Sequence, residues 1–176
     1  MKIIITYKSK TGFAKKYAEM IAKETGCRAL PLKEMTVEKM SEFDMVIFGG
    51  GIYAGNINGF KTAKNMFEKS TAKEFVVFAT GGMPNEAAKE TIKEIWTRNL
   101  GEELESIPHF YMQGGICYEK MSFPSKTLMK MFASLLDKKE DKTEEEKGFA
   151  QHIKQSYDIV DKKYAEPLIK LIYGGQ

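Results

Sequence analysis

Hydrophobic positions in this chain fall in short apolar runs separated by stretches of helical period. "KIIITY" (2–7) is a continuous apolar run, the mark of a strand buried on both faces. From Gly12 onward Phe13, Tyr17, Met20 and Ile21 recur at helical spacing, and Gly26 stops the helix. "CRALPL" (27–32) is a weaker strand, and its Pro31 suits a sheet edge because proline has no N–H to donate. "TVEKMSEF" (36–43) predicts a short helix or turn, "DMVIFGG" (44–50) a buried strand, "NGFKTAKNMFEKS" (58–70) a helix and "KEFVVFATGG" (73–82) a further strand. "PNEAAKETIKEIWTRNL" (84–100) opens with proline and acidic residues, which favour a helix start. "IPHFYMQGGICY" (107–118) reads as the fifth strand, and a long final helix is expected at about 144–163.

Strands alternating with helices predict an α/β fold: a doubly wound, five-stranded parallel sheet in the order 2-1-3-4-5, with right-handed crossovers. The Pro-bearing second strand takes the edge. One domain over residues 1–176 is expected, with a helical insertion at 119–143 and a C-terminal extension at 166–176. The tail "EPLIKLIYGGQ" is apolar enough to pack on the chain's own surface or on a neighbour.

Composition narrows the function classes. With 43% hydrophobic and 29% charged residues the chain is neither disordered nor fibrous. A net charge of +3 is far from a nucleic-acid-binding signature, so no nucleic-acid partner is expected. No apolar run approaches the ~20 residues that span a bilayer, and residues 2–7 are too short for a signal-peptide core, so a cytoplasmic location is expected. Cys27 and Cys117 lack metal-ligand spacing and read as structural thiols; His109 and His152 read as lone structural histidines.

In a doubly wound sheet a ligand sits outside the carboxyl ends of the strands, near the switch point. Three such ends here are rich in small residues: Ser9 to Gly12, Gly49 to Gly55, and Thr80 to Gly82. At the first, two hydroxyls and a glycine precede a helix whose first N–H groups and dipole favour an anion. The same residues also suit a plain turn with Ser9 or Thr11 capping the helix. The Gly-Lys-Ser/Thr ending of a Walker loop and the GxGxxG fingerprint are both missing. In "GGGIYAGN" (49–56), Tyr53 can stack on a flat ring or serve as half-buried packing. "TGGMPN" (80–85) has peptide groups that suit the edge of a heterocycle.

Taken together, these loops resemble the flavodoxin-like family of FMN-binding proteins. "SKTGFA" (9–14) is similar to the family's phosphate loop, while "GIYAG" (51–55) and "TGG" (80–82) stand where its two isoalloxazine loops lie. The resemblance implies that Ser9, Lys10, Thr11, Gly12, Phe13 and Ala14 hold the FMN phosphate. It also implies that Tyr53 stacks on the flavin, that Gly51, Ile52, Ala54 and Gly55 line it, and that Thr80, Gly81 and Gly82 contact the pyrimidine ring. No protein acid–base pair is visible, as expected where the cofactor does the chemistry.

A narrower resemblance concerns the insertion. "FPSKTLMKMF", ahead of an acidic stretch, is similar in placement and character to the insert of bacterial quinone-dependent protoporphyrinogen dehydrogenases, which carry a flavodoxin domain. Leu128, Met131, Phe132, Leu135 and Leu136 fall on one helical face beside Lys126 and Lys130. Two readings stand: a helix packed over the open edge of the flavin site, or a contact through 123–136 for porphyrin, quinone or membrane. The chain then acts either as an FMN electron carrier between redox partner proteins or as an FMN oxidoreductase with a quinone or porphyrin substrate. A module that has lost its cofactor is disfavoured by Thr11-Gly12 and Tyr53-Ala54-Gly55. The slightly basic charge and the non-acidic third loop, with Met83, Pro84 and Asn85, depart from the acidic carriers. With Lys10 beside the phosphate, they predict a less extreme redox potential.

Overall fold

The computed structural model describes residues 1–84, 88–142 and 144–174. Asn85 of the third loop, the opening turn of the helix expected at 84–100, and the last two residues of the tail lie outside the described residues. The order of elements is β1 (Ile3–Lys8), α1 (Phe13–Thr25), β2 (Arg28–Pro31), α2 (Val37–Met40), β3 (Met45–Tyr53), β4 (Asn56–Ile57), α3 (Phe60–Glu68), β5 (Glu74–Gly81) and α4 (Lys89–Leu100). There follow β6 (His109–Gln113), β7 (Gly115–Ile116), α5 (Phe123–Lys138), α6 (Glu144–His152), β8 (Tyr157–Asp158) and α7 (Glu166–Gly174).

The main sheet runs β2-β1-β3-β5-β6, all parallel, with β2 at the edge as its proline requires. The order is the one predicted. Alternate residues of each central strand enter opposite cores, because successive side chains leave a strand on opposite faces. Ile3, Ile5, Met45, Ile47, Val76 and Phe78 pack with α1 and α7 on one side. Ile4, Val46, Phe48, Phe75 and Val77 pack with α3 and α4 on the other, against Phe60, Ala63, Ile95 and Trp96. Continuous apolar strands are thus the direct consequence of two helical layers.

Three boundaries differ from the sequence reading. β3, expected to end at Gly50, continues through Gly51 to Tyr53, and Gly49 within it pairs with Tyr7 and Phe78. A Cβ on Gly49 would lie 2.0 Å from the Phe78 ring, so this glycine makes room for a neighbour. The expected fifth strand, 107–118, breaks at Gly114. β6 stays in the sheet, whereas Gly115 and Ile116 leave it to form an antiparallel ribbon with Asp158 and Tyr157. The helix expected at 144–163 ends at His152 because the chain must return through β8 to that ribbon. The tail folds back onto its own sheet: Leu168, Ile169 and Ile172 of α7 are buried against α1.

α5 and α6 form a small layer with its own apolar centre of Ile116, Ala133 and Ile153, joined by Met129, Phe149 and Tyr157. Among the described residues no helix is long and apolar enough to cross a membrane. His109 donates from Nδ1 to the Ile107 carbonyl at 2.8 Å and packs on Trp96, a structural role.

Candidate functional site at the carboxyl edge of the sheet

The ends of β1, β3 and β5 converge on one cavity of about 210 Å³. Ser9, Lys10, Thr11, Phe13 and Ala14 line it from the first loop, Gly51, Ile52, Tyr53 and Ala54 from the second, and Thr80, Gly81 and Gly82 from the third. Of the residues singled out from sequence, Gly12 and Gly55 do not line it; each instead shapes the turn beside it.

The first loop is built to leave backbone N–H groups at the mouth. Neither Ser9 nor Thr11 caps α1. Gly12 is the N-cap, at φ 104°, a left-handed conformation that any L side chain would strain. Its own N–H donates to Ser9 Oγ at 3.1 Å, so the serine hydroxyl closes the loop. The first helical bond is Lys16 N–H to the Gly12 carbonyl at 3.0 Å, which leaves the N–H groups of Phe13, Ala14 and Lys15 ahead of the intrahelical ladder. With the positive end of the helix dipole they form an anion cradle.

The second loop is a two-residue hairpin. Tyr53 pairs with Asn56 across Ala54 and Gly55, both at positive φ, as the tight turn demands. α4 grips this hairpin through Asn99. Its Oδ1 accepts the Ile57 N–H at 2.9 Å, and its Nδ2 donates to the carbonyls of Gly55 (2.9 Å) and Ile95 (2.7 Å). The half-buried Tyr53 ring is held on two sides. The Lys10 ammonium lies 4.2 Å from its centroid, and its hydroxyl donates to Ser125 Oγ of α5. Lys10, expected beside the anion cradle, thus sits toward the ring side of the cavity.

The third loop is pinned by two phenols. Tyr111 donates to the Met83 carbonyl and Tyr157 to the Gly82 carbonyl, each at 2.8 Å. Burial holds both phenol protons well above the usual tyrosine range, so both remain donors at any physiological pH. Thr80, 5% exposed, pairs with Gly51 of the adjacent β3, its Oγ1 3.8 Å from where a Cβ on Gly51 would lie.

Sequence reasoning offered the insertion helix as a cover over the open edge of the site but did not name Met121, Met129 or Phe149 in it. Met121, Met129, Phe132 and Phe149 close the cavity from above, and Asn58, Met83, Gly115 and Ile116 complete the walls. Met121, Met129 and Phe132 belong to the insertion and Phe149 to α6, and the spacing of Ser125, Met129 and Phe132 along α5 was the available signal. Leu128, Met131 and Leu135 of the same helix are exposed, as is Phe123 at 83%. The insertion helix therefore covers the site with one face and leaves an apolar row exposed on another.

A family model described as a flavodoxin domain matches residues 4–143. The chain belongs to the flavodoxin-domain family. The match takes in β1 to α5 and therefore all three loops; α6, β8 and α7 follow it. Solved structures with which this flavodoxin domain shares a likeness include the Trp repressor binding protein from Bacillus subtilis, at 14% identity, 80% of this chain, 100% of that one and a TM-score of 0.47. Oxidised Flavodoxin 1 from Bacillus cereus aligns at 14% identity over 79% of this chain and 99% of that one, with a TM-score of 0.44. A flavoprotein in complex with FMN from Lactobacillus acidophilus aligns at 14% identity over 64% and 91%, with a TM-score of 0.45. Among curated proteins none matches this chain.

Proposed function

We propose that this flavodoxin domain binds FMN at the carboxyl edge of its sheet and transfers electrons through it. The observation that carries this reading is the convergence of an anion cradle, an aromatic hairpin and a peptide-lined loop on one cavity. Thr11 and the N–H groups of Phe13 and Ala14 suit the phosphate, Ile52 and Tyr53 suit the apolar ring, and the peptides of Gly81 and Gly82 suit its polar edge. Bound FMN supplies the electron transfer itself; the chain binds, orients and shields it. At about 210 Å³ the cavity is smaller than the roughly 300–1,000 Å³ of typical ligand pockets, so α5 has to shift outward to admit the ring.

Absorbance of the purified protein and a titration with FMN test the reading. Flavin bands, or saturable uptake of added FMN, are expected. Replacing Thr11 by Val and Gly12 by Val together should abolish uptake with the circular dichroism spectrum unchanged. A colourless protein that takes up no FMN would overturn the proposal.

The apolar roof favours a second reading, an FMN oxidoreductase that uses a quinone, of the protoporphyrinogen dehydrogenase type. Met121, Met129, Phe132 and Phe149 cover the ring side of the cavity with surface suited to a flat apolar substrate. The outer face of α5, apolar and flanked by Lys126 and Lys130, suits contact with a lipid surface that holds such a substrate. Turnover with a quinone acceptor supports this reading, and no turnover with any quinone leaves the carrier.

A further inference from the structure

Two lysines flank the loop between β1 and α1, and they come from different parts of the chain. Lys10 lies within the loop, yet its ammonium is engaged with the Tyr53 ring at 4.2 Å. Lys120 ends the turn Tyr118–Lys120 that follows β7, more than a hundred residues later. Its Nζ lies 3.5 Å from the position a Cβ on Gly12 would occupy.

That placement is held by the ribbon. Ile116 pairs with Tyr157, the Tyr118 N–H donates to Ser156 Oγ at 2.9 Å, and the Tyr118 hydroxyl donates to the Ile153 carbonyl at 2.6 Å. Two other charged groups lie nearby, and each has a hydrogen-bond partner of its own. Lys16 is paired with Asp158, and Glu119 accepts from Ser156 Oγ at 2.7 Å. Among the described residues Lys120 has no ion pair. A depression of about 300 Å³ lies on the outer side of the loop, between Thr11, Phe13, Lys16, Lys120 and Asp158. Thr11 and Phe13 line both spaces, so the depression lies against the outer side of the same loop that forms the anion cradle.

We infer that Lys120 is the phosphate-side cation of this site and makes it select a phosphorylated flavin over the unphosphorylated one. The inference rests on the FMN reading above. The dianion gains an ammonium partner at the point where the α1 dipole and the free N–H groups already favour negative charge, and riboflavin has nothing to offer it. Because Lys120 is exposed, the gain is screened by salt.

The test titrates the apoprotein with FMN, with riboflavin and with riboflavin plus inorganic phosphate, following flavin fluorescence at low and high salt. The variants are Lys120→Gln, Lys120→Arg and, as a control, Lys10→Gln. Lys120→Gln is expected to weaken FMN roughly tenfold at low salt and to flatten its salt dependence, with riboflavin affinity unchanged. Lys120→Arg should restore FMN binding, and inorganic phosphate should not improve riboflavin binding to the Gln variant. Equal losses for both flavins would show a structural role, and an unchanged FMN affinity would show none; either result overturns the inference. A wild-type protein that binds both flavins equally overturns it while the flavin reading stands. A protein that binds neither removes the reading, and the inference with it, before any variant is made.

Discussion

The Tyr53 hydroxyl donates a hydrogen bond to Ser125 Oγ, so the hairpin beneath the cavity and the helix above it hold each other shut. Ser125 is buried and is itself within 2.6 Å of Ser122 Oγ, which fixes the first turn of α5. Ser125→Ala removes the hydrogen bonds with Tyr53 and Ser122, each worth about 0.5–1.5 kcal/mol. FMN association and dissociation should then both speed up severalfold in stopped-flow fluorescence. Unchanged rates would show that the roof is not what limits entry.

The Lys10 ammonium beside Tyr53 is positioned to favour extra negative charge on a ring held there. With Met83 in the third loop where acidic residues would oppose that charge, the midpoint potential should be less extreme than in acidic carriers. Lys10→Gln should lower it on the order of tens of millivolts, and Lys10→Glu further. Redox titration reads the sign, and a rise in either variant would contradict this account.

Asn99 links α4 to the turn and to β4 of the β3–β4 hairpin. Asn99→Ala leaves the Ile57 N–H and the Gly55 carbonyl without this partner, at about 1–3 kcal/mol. Amide exchange at Ile57 should accelerate well beyond that of central β5, and FMN affinity should fall with it. Exchange that rises equally in both strands would instead report a global loss of stability.

Thr6 is fully buried in β1, and among the described residues its Oγ1 is a buried side-chain oxygen with no hydrogen-bond partner. Valine has nearly the same shape and no hydroxyl to desolvate. Thr6→Val should therefore stabilise the fold by about 1 kcal/mol, raising Tm by roughly 2–4 °C. Thr6 does not line the cavity, so FMN affinity should stay the same; a destabilised variant would mean that the hydroxyl has a bonding partner.

Acid should loosen the ribbon. Burial raises the Asp158 pKa, but the Lys16 ammonium and the Val160 N–H outweigh it and hold the carboxyl below its ordinary value. A depressed folded-state pKa contributes stability above the unfolded value, near 4, and that contribution is lost as pH falls through the folded value. Equilibrium unfolding across the acid range should show a slope that Asp158→Asn reduces, while the stability of the two proteins converges at the lowest pH.

The predicted features that the structure reproduces are those with local causes. The apolar runs of β1, β3 and β5 appear because two helical layers leave no solvent-facing side on those strands. Pro31 put β2 at the edge for want of an N–H. The small residues at three strand ends were visible as a group once the strand order was known, since that order sets them side by side. By contrast, β3 looked as if it ended at Gly50, because nothing near it in sequence reveals the pairing of Gly51 with Thr80 that carries the strand on. Gly115 looked like the interior of a strand, because its reason for leaving the sheet, Tyr157, lies forty-two residues further on.

By itself, then, the sequence determined the class of fold, the strand order and the three loops at the carboxyl edge, since periodicity, proline chemistry and small-residue loops act over a few residues. Only the tertiary structure decided what surrounds those loops. It brought Lys120 to Gly12, moved the Lys10 charge onto Tyr53, set Asn99 on the hairpin and closed α5 over the cavity. Each of these is a contact between groups far apart along the chain. Their energy depends on distances that packing alone establishes, and no local pattern encodes them.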